Sequence, residues 1–376
     1  MLRPGFFIET LKEAGIDCFA GVPDSLLKNL CAYITDHFGA DNNVISANEG
    51  AAIGFAAGHY LATGLPACVY MQNSGEGNII NPLASLTDPE VYNIPVLLII
   101  GWRGRPGVHD EPQHIKQGKV TLALLDTMGI GYEVLSKEEE LAARQVKKAA
   151  EALAKGYVYA LIVEKDTFEE YRPMVSASGS FEMSREEAVI MVAGAVGEKD
   201  CIVSTTGMIS RELFEMRTAK GQGHGQDFLT VGSMGHASQI ALGVALARPE
   251  RRVWCLDGDG AVIMHMGSLA VTASKHPRNL VHVVFNNGAH DSVGGQPTVA
   301  LNINLSGAAV ALGYGPVYSV STKKALLEVL ETLSEPSAQG PAFLEIKVRK
   351  GNRKDLGRPT TTPAQNKEAF MSFLKK

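Results

Sequence analysis

The sequence predicts an α/β protein made of two doubly wound, mostly parallel sheets, and three observations carry that expectation. Short apolar runs rich in strand-forming residues alternate with helix-length segments through most of the 376 residues, the pattern of a parallel sheet covered on both faces. The alternation lapses once, at KDTFEEYRPMVSASGSFEMS (165–184), where Pro173 and a small polar cluster mark a linker. The stretch from 252 to 287 reads as strand, helix, strand. Such a βαβ unit has parallel strands whose carboxyl ends share one edge of the sheet. The expected organisation is a domain over 1–170, a linker over 171–183 and a second domain over 184–376.

Taken in order, Pro4 and Gly15 frame an opening helix over 6–14, with proline inside its start and glycine past its end. A strand then leads into Gly21-Val22-Pro23-Asp24-Ser25, and further strands are expected at 43–46, 67–71, 96–101, 131–135 and 157–163. The segment GWRGRPGVHDEPQHIKQGK (101–119) reads as a long loop of mixed charge, and loops of that kind on an α/β scaffold often carry function. After the linker, strands are expected at 201–204, 228–231, 253–256, 281–285, 317–320 and 342–348. GQGHGQ (221–226) reads as a surface loop. The two halves match in architecture and share no detectable sequence repeat.

Composition narrows the function. With 45% hydrophobic and 20% charged residues the chain is typical of a globular protein, and a net charge of −5 argues against a general nucleic-acid binder. Cys18, Cys31, Cys68, Cys201 and Cys255 are odd in number, scattered and set mostly in apolar runs, so they read as reduced core residues with no zinc or redox spacing. Charges run through the first residues, no run is long enough to span a bilayer, and a cytoplasmic protein is expected.

The chemistry gathers at two places. Gly258-Asp259-Gly260-Ala261 follows one strand of the βαβ unit and Asn286-Asn287 ends the other, so Asp259 and Asn287 are expected to be neighbours. A carboxylate beside a carboxamide offers hard oxygen ligands suited to Mg²⁺, whose remaining positions are commonly filled by water and phosphate oxygens; a metal-anchored phosphorylated ligand follows. In the first half, Asn48 precedes Glu49 at a helix start, where an N-cap and a favourable dipole contact explain both locally. Asp24 follows a strand, where a carboxylate also caps helices.

Gly-Asp-Gly followed, after a helix and a strand, by Asn-Asn resembles the signature of thiamin diphosphate enzymes, and the resemblance continues along the chain. It implies that Asp259, Asn287 and the main-chain carbonyl of Ala289 bind the metal, and that Gly258, Gly260 and Ala261 contact the cofactor. Gly232-Ser233-Met234-Gly235 is similar to the run that lines the cofactor in the 2-oxo acid decarboxylase branch: the Gly232 carbonyl would accept from the aminopyrimidine amino group, Met234 would support the bent cofactor, and Ser233 and Thr206 would be contacts. Glu49 matches the glutamate that hydrogen-bonds the aminopyrimidine ring and promotes removal of the thiazolium proton. Asp24 matches an aspartate that supplies a proton before aldehyde release, and His114 falls where related decarboxylases have an active-site histidine. In the family the helix after Glu49 lies near a subunit interface, so a homodimer or higher even homo-oligomer is implied, with the active site between subunits.

Most such decarboxylases carry a middle domain, for which this linker is too short. Two-part chains with GVPDS, NEGAA, MQNSGEGN, DEPQH, GDGAVIMHMG, NNGAHDSVGG and DLGRP resemble the phosphonopyruvate decarboxylase family, close to sulfopyruvate decarboxylase. The resemblance implies decarboxylation of 3-phosphonopyruvate to phosphonoacetaldehyde and CO₂ in phosphonate biosynthesis, with sulfopyruvate decarboxylation or acetolactate-synthase-type carboligation as alternatives. An anionic 2-oxo acid needs cationic contacts. Candidates are Arg103, Arg105, His114, Lys116 and Lys119 in the first half and Arg349, Lys350, Arg353, Lys354 and Arg358 near the carboxyl terminus, with Arg353 and Arg358 favoured.

Overall fold

The computed structural model describes residues 1–174, 181–335 and 340–376, so positions 175–180 of the expected linker lie outside the described residues. The chain divides into two compact units, Met1–Ser176 and Ala177–Lys376.

The first unit holds β1 (Phe19–Gly21), β2 (Asn43–Ile45), β3 (Ala67–Gln72), β4 (Val96–Gly101), β5 (Gly131–Val134) and β6 (Tyr159–Val163) in the order β2-β1-β3-β4-β6-β5. Every pairing is parallel. The central strands are apolar throughout because both of their faces are covered. Cys68, Tyr70, Leu97 and Ile99 pack into one cluster with Phe7, Leu11 and Phe19, whereas Val69, Met71, Leu98 and Ile100 pack into another with Ile53, Ala56 and Ile79. The period-two alternation of a strand therefore appears as a choice between two cores.

The second unit repeats the plan with β7 (Cys201–Ser204), β8 (Asp227–Leu229), β9 (Val253–Gly258), β10 (Leu280–Asn286), β11 (Val317–Val320) and β12 (Ala342–Lys347) in the order β11-β12-β10-β9-β7-β8, again all parallel. Trp254, Leu256, Val283 and Phe285 face one cluster; Cys255 and Val284 face the clusters on the other side. In each sheet the chain first winds one way and then the other. The reversal lies between β1 and β3 in the first unit and between β7 and β9 in the second, and open α/β sheets bind ligands outside the carboxyl ends of strands at such points.

Two local expectations are corrected. The loop expected over 101–119 ends at Glu111, because Pro112 starts a helix, Pro112–Thr127; proline at the first helical position lacks only an N–H that would go unpaired there. The single helix expected after Gly258 is two, Asp259–Met264 and Gly267–Ser274, separated where His265 leaves helical geometry at φ −133°, ψ 46°.

Candidate active site

At the reversal between β7 and β9 the second unit has a cavity. Thr206, Met234, Gly258, Gly260, Ala261, Asn287 and Ala289, all picked from the sequence, line it together with Arg185, Asp291 and others. The register sets this up: β9 and β10 pair so that Gly258 lies opposite Phe285, which puts the turn into Asp259 beside the exit through Asn286 and Asn287. Gly260 is required by contact, since a β-carbon there would sit 2.8 Å from the His290 ring. Gly232 donates its N–H to Thr206 Oγ1 at 3.1 Å, which ties two predicted cofactor positions to each other. Ser233 is held at φ 48°, a conformation disfavoured outside glycine and asparagine and worth noting at a site. Gly232 and Ser233 themselves are not among the lining residues.

The three residues expected to bind the metal, Asp259, Asn287 and Ala289, are all buried. Asp259 accepts a hydrogen bond from the Thr298 hydroxyl. Burial pushes its carboxyl up to about 6, the Asp291 charge acts in the same direction, and the Thr298 hydroxyl and Gly260 N–H oppose them. Asn287 accepts from the Ala289 N–H at 3.0 Å through Oδ1 and donates from Nδ2 to Asp291 Oδ2 at 2.7 Å. Asp291 also accepts from Arg185 Nη1 at 2.9 Å, and Arg185 in turn donates to Glu212 at 2.9 to 3.2 Å. Sequence reasoning missed Arg185, Glu212 and Asp291. Arg185 follows the Ser184 capping box of the helix Arg185–Ala195 and lies 106 positions from Asp291, so no local pattern announces the pair.

In the first unit the reversal between β1 and β3 gathers a second polar group. Asp24 is fully buried; its Oδ1 accepts from Gln72 at 2.6 Å and its Oδ2 from the Leu26 N–H at 2.9 Å. Burial raises its carboxyl, opposed by Gln72, Leu26 and the Arg103 charge. Glu49 begins the helix Glu49–Thr63, whose N-cap Asn48 accepts from the Ala51 N–H at 3.0 Å. Asn78 donates to Glu49 Oε2 at 2.6 Å. Gly75 lies so close that a β-carbon there would overlap the Glu49 carboxylate. MQNSGEGN is thus a cradle for Glu49 and Asp24, through Gln72, Gly75 and Asn78, whose roles the sequence alone does not reveal. Glu76, in the same run, is buried and pushed up to about 7 by that burial, against Thr121 and Gln117.

His114 is buried in the first turn of its helix. Burial, and then the Arg103 charge, push its imidazole down to about 4, and among the described residues its Nδ1 has no hydrogen-bond partner. Four of the ten cationic candidates, Arg103, Arg105, Arg349 and Arg353, hold polar or charged partners. Arg103 pairs with Asp110 and donates to Ser25, and Arg105 pairs with Glu164 at 2.8 Å. Arg349 donates to the Glu182 carbonyl at 2.6 Å. Arg353 is engaged by Glu186, Glu215 and Asp355, and neither it nor exposed Arg358 lines the cavity. All five cysteines are free thiols and buried. Among the described residues no helix is long and apolar enough to cross a membrane.

Comparison with known proteins defines the class. Residues 5–125 match the thiamine pyrophosphate enzyme N-terminal TPP-binding domain, and residues 205–346 match the thiamine pyrophosphate enzyme C-terminal TPP-binding domain. The chain belongs to the thiamin diphosphate-dependent enzyme family. More particularly, it is 35% identical to a phosphonopyruvate decarboxylase of Streptomyces viridochromogenes over 100% of this chain and 95% of the relative. It is 34% identical to that of Streptomyces hygroscopicus over 99% and 94%, and 28% identical to a sulfopyruvate decarboxylase of Methanosarcina acetivorans over 92% and 91%.

The depressed His114 imidazole has a measurable consequence. Between its ordinary value of 6.5 and about 4 the unfolded chain takes up a proton that the folded chain refuses, so stability present above this window is lost as pH falls through it. His114→Gln, which removes the titration, is expected to flatten the fall in Tm over that range; an unchanged slope in pH-dependent thermal melts would show that other groups govern it.

Proposed function

We propose that the chain is a thiamin diphosphate- and Mg²⁺-dependent carboxy-lyase that converts 3-phosphonopyruvate to phosphonoacetaldehyde and CO₂, in phosphonate biosynthesis. The observation that carries the substrate is the full-length similarity to two phosphonopyruvate decarboxylases, above the 28% shared with the sulfopyruvate enzyme. The donor set fits the cofactor and its metal. Asp259 and Asn287 bring a carboxylate and a carboxamide oxygen to adjoining strand ends; Asn287 lines the cavity with Gly258, Gly260 and Ala261, and Asp259 lies between Gly258 and Gly260 without lining it itself, and hard oxygen donors suit Mg²⁺. In this reading Asp259, Asn287 and the Ala289 carbonyl hold the metal. Gly232, Ser233, Met234 and Thr206 hold the organic part of the cofactor.

When bound, thiamin diphosphate supplies the electron sink for the pair released as the carboxylate departs. The chain's own residues do the rest. Glu49, fixed by Asn78, would hydrogen-bond the aminopyrimidine of the bound cofactor, and general acid–base assistance of this type is worth roughly 10² to 10⁴ in rate. Asp24, buried with a raised carboxyl, suits the delivery of a proton before aldehyde release. Neutral His114 serves as a hydrogen-bonding group near the keto acid. We further propose a homodimer or higher even oligomer in which Glu49 of one copy serves the cofactor of another, since the small-residue helix after Glu49 leaves Gly54, Gly58 and Leu61 exposed. Five buried, reduced thiols suit a cytoplasmic location.

The function is tested by offering phosphonopyruvate, sulfopyruvate and pyruvate to the purified chain with Mg²⁺ and thiamin diphosphate while CO₂ and aldehyde are followed. The highest kcat/KM is expected for phosphonopyruvate with aldehyde released. Preference for sulfopyruvate, or accumulation of an acyloin, would replace the assignment with one of the two alternatives.

Glu49→Gln is expected to lower kcat by about 10² to 10⁴ while cofactor binding persists; intact turnover would remove Glu49 from the mechanism. Arg353 and Arg358 are proposed contacts for the phosphonate, and for Arg353 this requires an exchange with Glu186, Glu215 or Asp355. Arg353→Ala should then raise KM for phosphonopyruvate more than for pyruvate, whereas equal effects on both substrates with a lowered Tm would mark it as structural.

A further inference from the structure

We propose that Asp291 is the positioning residue for Asn287: it fixes which way the Asn287 carboxamide faces and so makes its oxygen available to a divalent cation. The proposal rests on the reading of Asn287 as a metal ligand.

A carboxamide has a donating end and an accepting end, and its orientation is set by what surrounds it. The two consecutive asparagines at the exit of β10 solve that problem in the same way. Asn286 accepts from the Gly288 N–H at 3.1 Å and donates to Glu345 at 2.7 Å. Asn287 accepts from the Ala289 N–H at 3.0 Å and donates to Asp291 at 2.7 Å. In each case a main-chain N–H two residues on meets the oxygen, and a carboxylate meets the NH₂. Turning the Asn287 amide over would set its NH₂ against the Ala289 N–H and its oxygen against the Asp291 carboxylate. Both contacts would become repulsive, so a single orientation survives.

Asp291 is able to impose this because it is itself held. Its Oδ2 accepts from Arg185 Nη1 at 2.9 Å and from the Gly351 N–H at 2.9 Å, besides Asn287. Arg185 is anchored from its other edge by Glu212, both side chains being nearly inaccessible at 5% and 2%. A buried charged group paired on two sides is costly to move, so the chain Glu212, Arg185, Asp291, Asn287 transmits a fixed geometry from two helices to the strand exit. Asp291 is an acceptor only, which is why its contact specifies the NH₂ end of the amide.

The test is Mn²⁺ binding to the full chain at fixed thiamin diphosphate, read from the free-ion electron paramagnetic resonance signal, with melting temperature as a folding control. Loss of such outer partners typically weakens metal binding by about 10- to 100-fold, and that is expected for Asp291→Ala. Asp291→Asn, whose carboxamide oxygen still accepts from Asn287, should stay within about threefold of the parent, on the same scale. Equal losses in both variants would overturn positioning and point to a charge or ligand role. Asn287→Asp supplies a second measurement, independent of whether Asp291→Ala folds: it keeps a metal-binding oxygen but sets carboxylate against carboxylate, so weaker Mn²⁺ binding is expected, and unchanged or tighter binding would overturn the proposal. Asp259→Ala and Asn287→Ala separate the underlying reading. If these two bind Mn²⁺ like the parent, the metal-ligand assignment fails; if they lose it while Asp291→Ala does not, only the positioning role fails.

Discussion

The parallel pairing of β9 with β10 is the constraint on which the second unit's chemistry depends. Because Gly258 is registered against Phe285, the residues that follow each strand emerge at one edge, and Asp259 need not be brought to the Asn286-Asn287 turn by any loop. A one-residue slip would exchange the faces of every side chain on the strand. It would also turn Trp254 and Leu256 away from the cluster they share with Val283 and Phe285. The hydrophobic sorting that fixes the register therefore fixes the site, and the catalytic edge inherits its geometry from residues with no chemical role.

The first unit uses the same device with different groups. The reversal between β1 and β3 brings Asp24, after the first strand, against Gln72 at the end of the third, at 2.6 Å. Here the ligand-binding edge is built from carboxylates in poorly hydrated surroundings, which raises Asp24 and Glu76. Carboxyl groups raised by burial suit proton transfer, and the edge of the second unit, rich in oxygen donors and main-chain N–H groups, suits an ion and an anion. In the proposed reading one fold plan thus serves two tasks through the residues just beyond its strand ends.

Much of this was legible in the sequence, for a physical reason. Strands buried on both faces are continuous apolar runs, so β3, β4, β9 and β10 stand out by composition alone, and the parallel arrangement follows from the helix-length spacers. Asp259 and Asn287 directly follow strands, and Asp24 and Glu49 lie a few residues beyond β1 and β2, where local sequence and family resemblance both speak. What escaped were features set by distant contacts. Arg185 reads as an ordinary first-turn residue after a capping box, yet it serves Asp291 from far along the chain. Asn78 and Gly75 matter only because Glu49 lies against them. The helix break at His265 and the early start at Pro112 show the opposite case, in which a local geometric choice inside a correctly placed element is decided by a few residues.

The charge arrangement of the second unit supplies its own argument about what the cavity accommodates. Buried Glu212 and Arg185 and partly buried Asp291 join two carboxyl groups to one guanidinium, and Asp259 stands near enough for the Asp291 charge to raise it. Bringing like charges together in a poorly hydrated place costs free energy. If stability alone were at stake, an apolar replacement would often serve as well. A bound divalent cation changes the balance, because it offsets the carboxylates at once and brings its own capacity for phosphate oxygens. The arginine then has a definite task. It holds Asp291 where that side chain accepts from Asn287, and in the proposed reading Asp259 is then the carboxylate left to meet the ion.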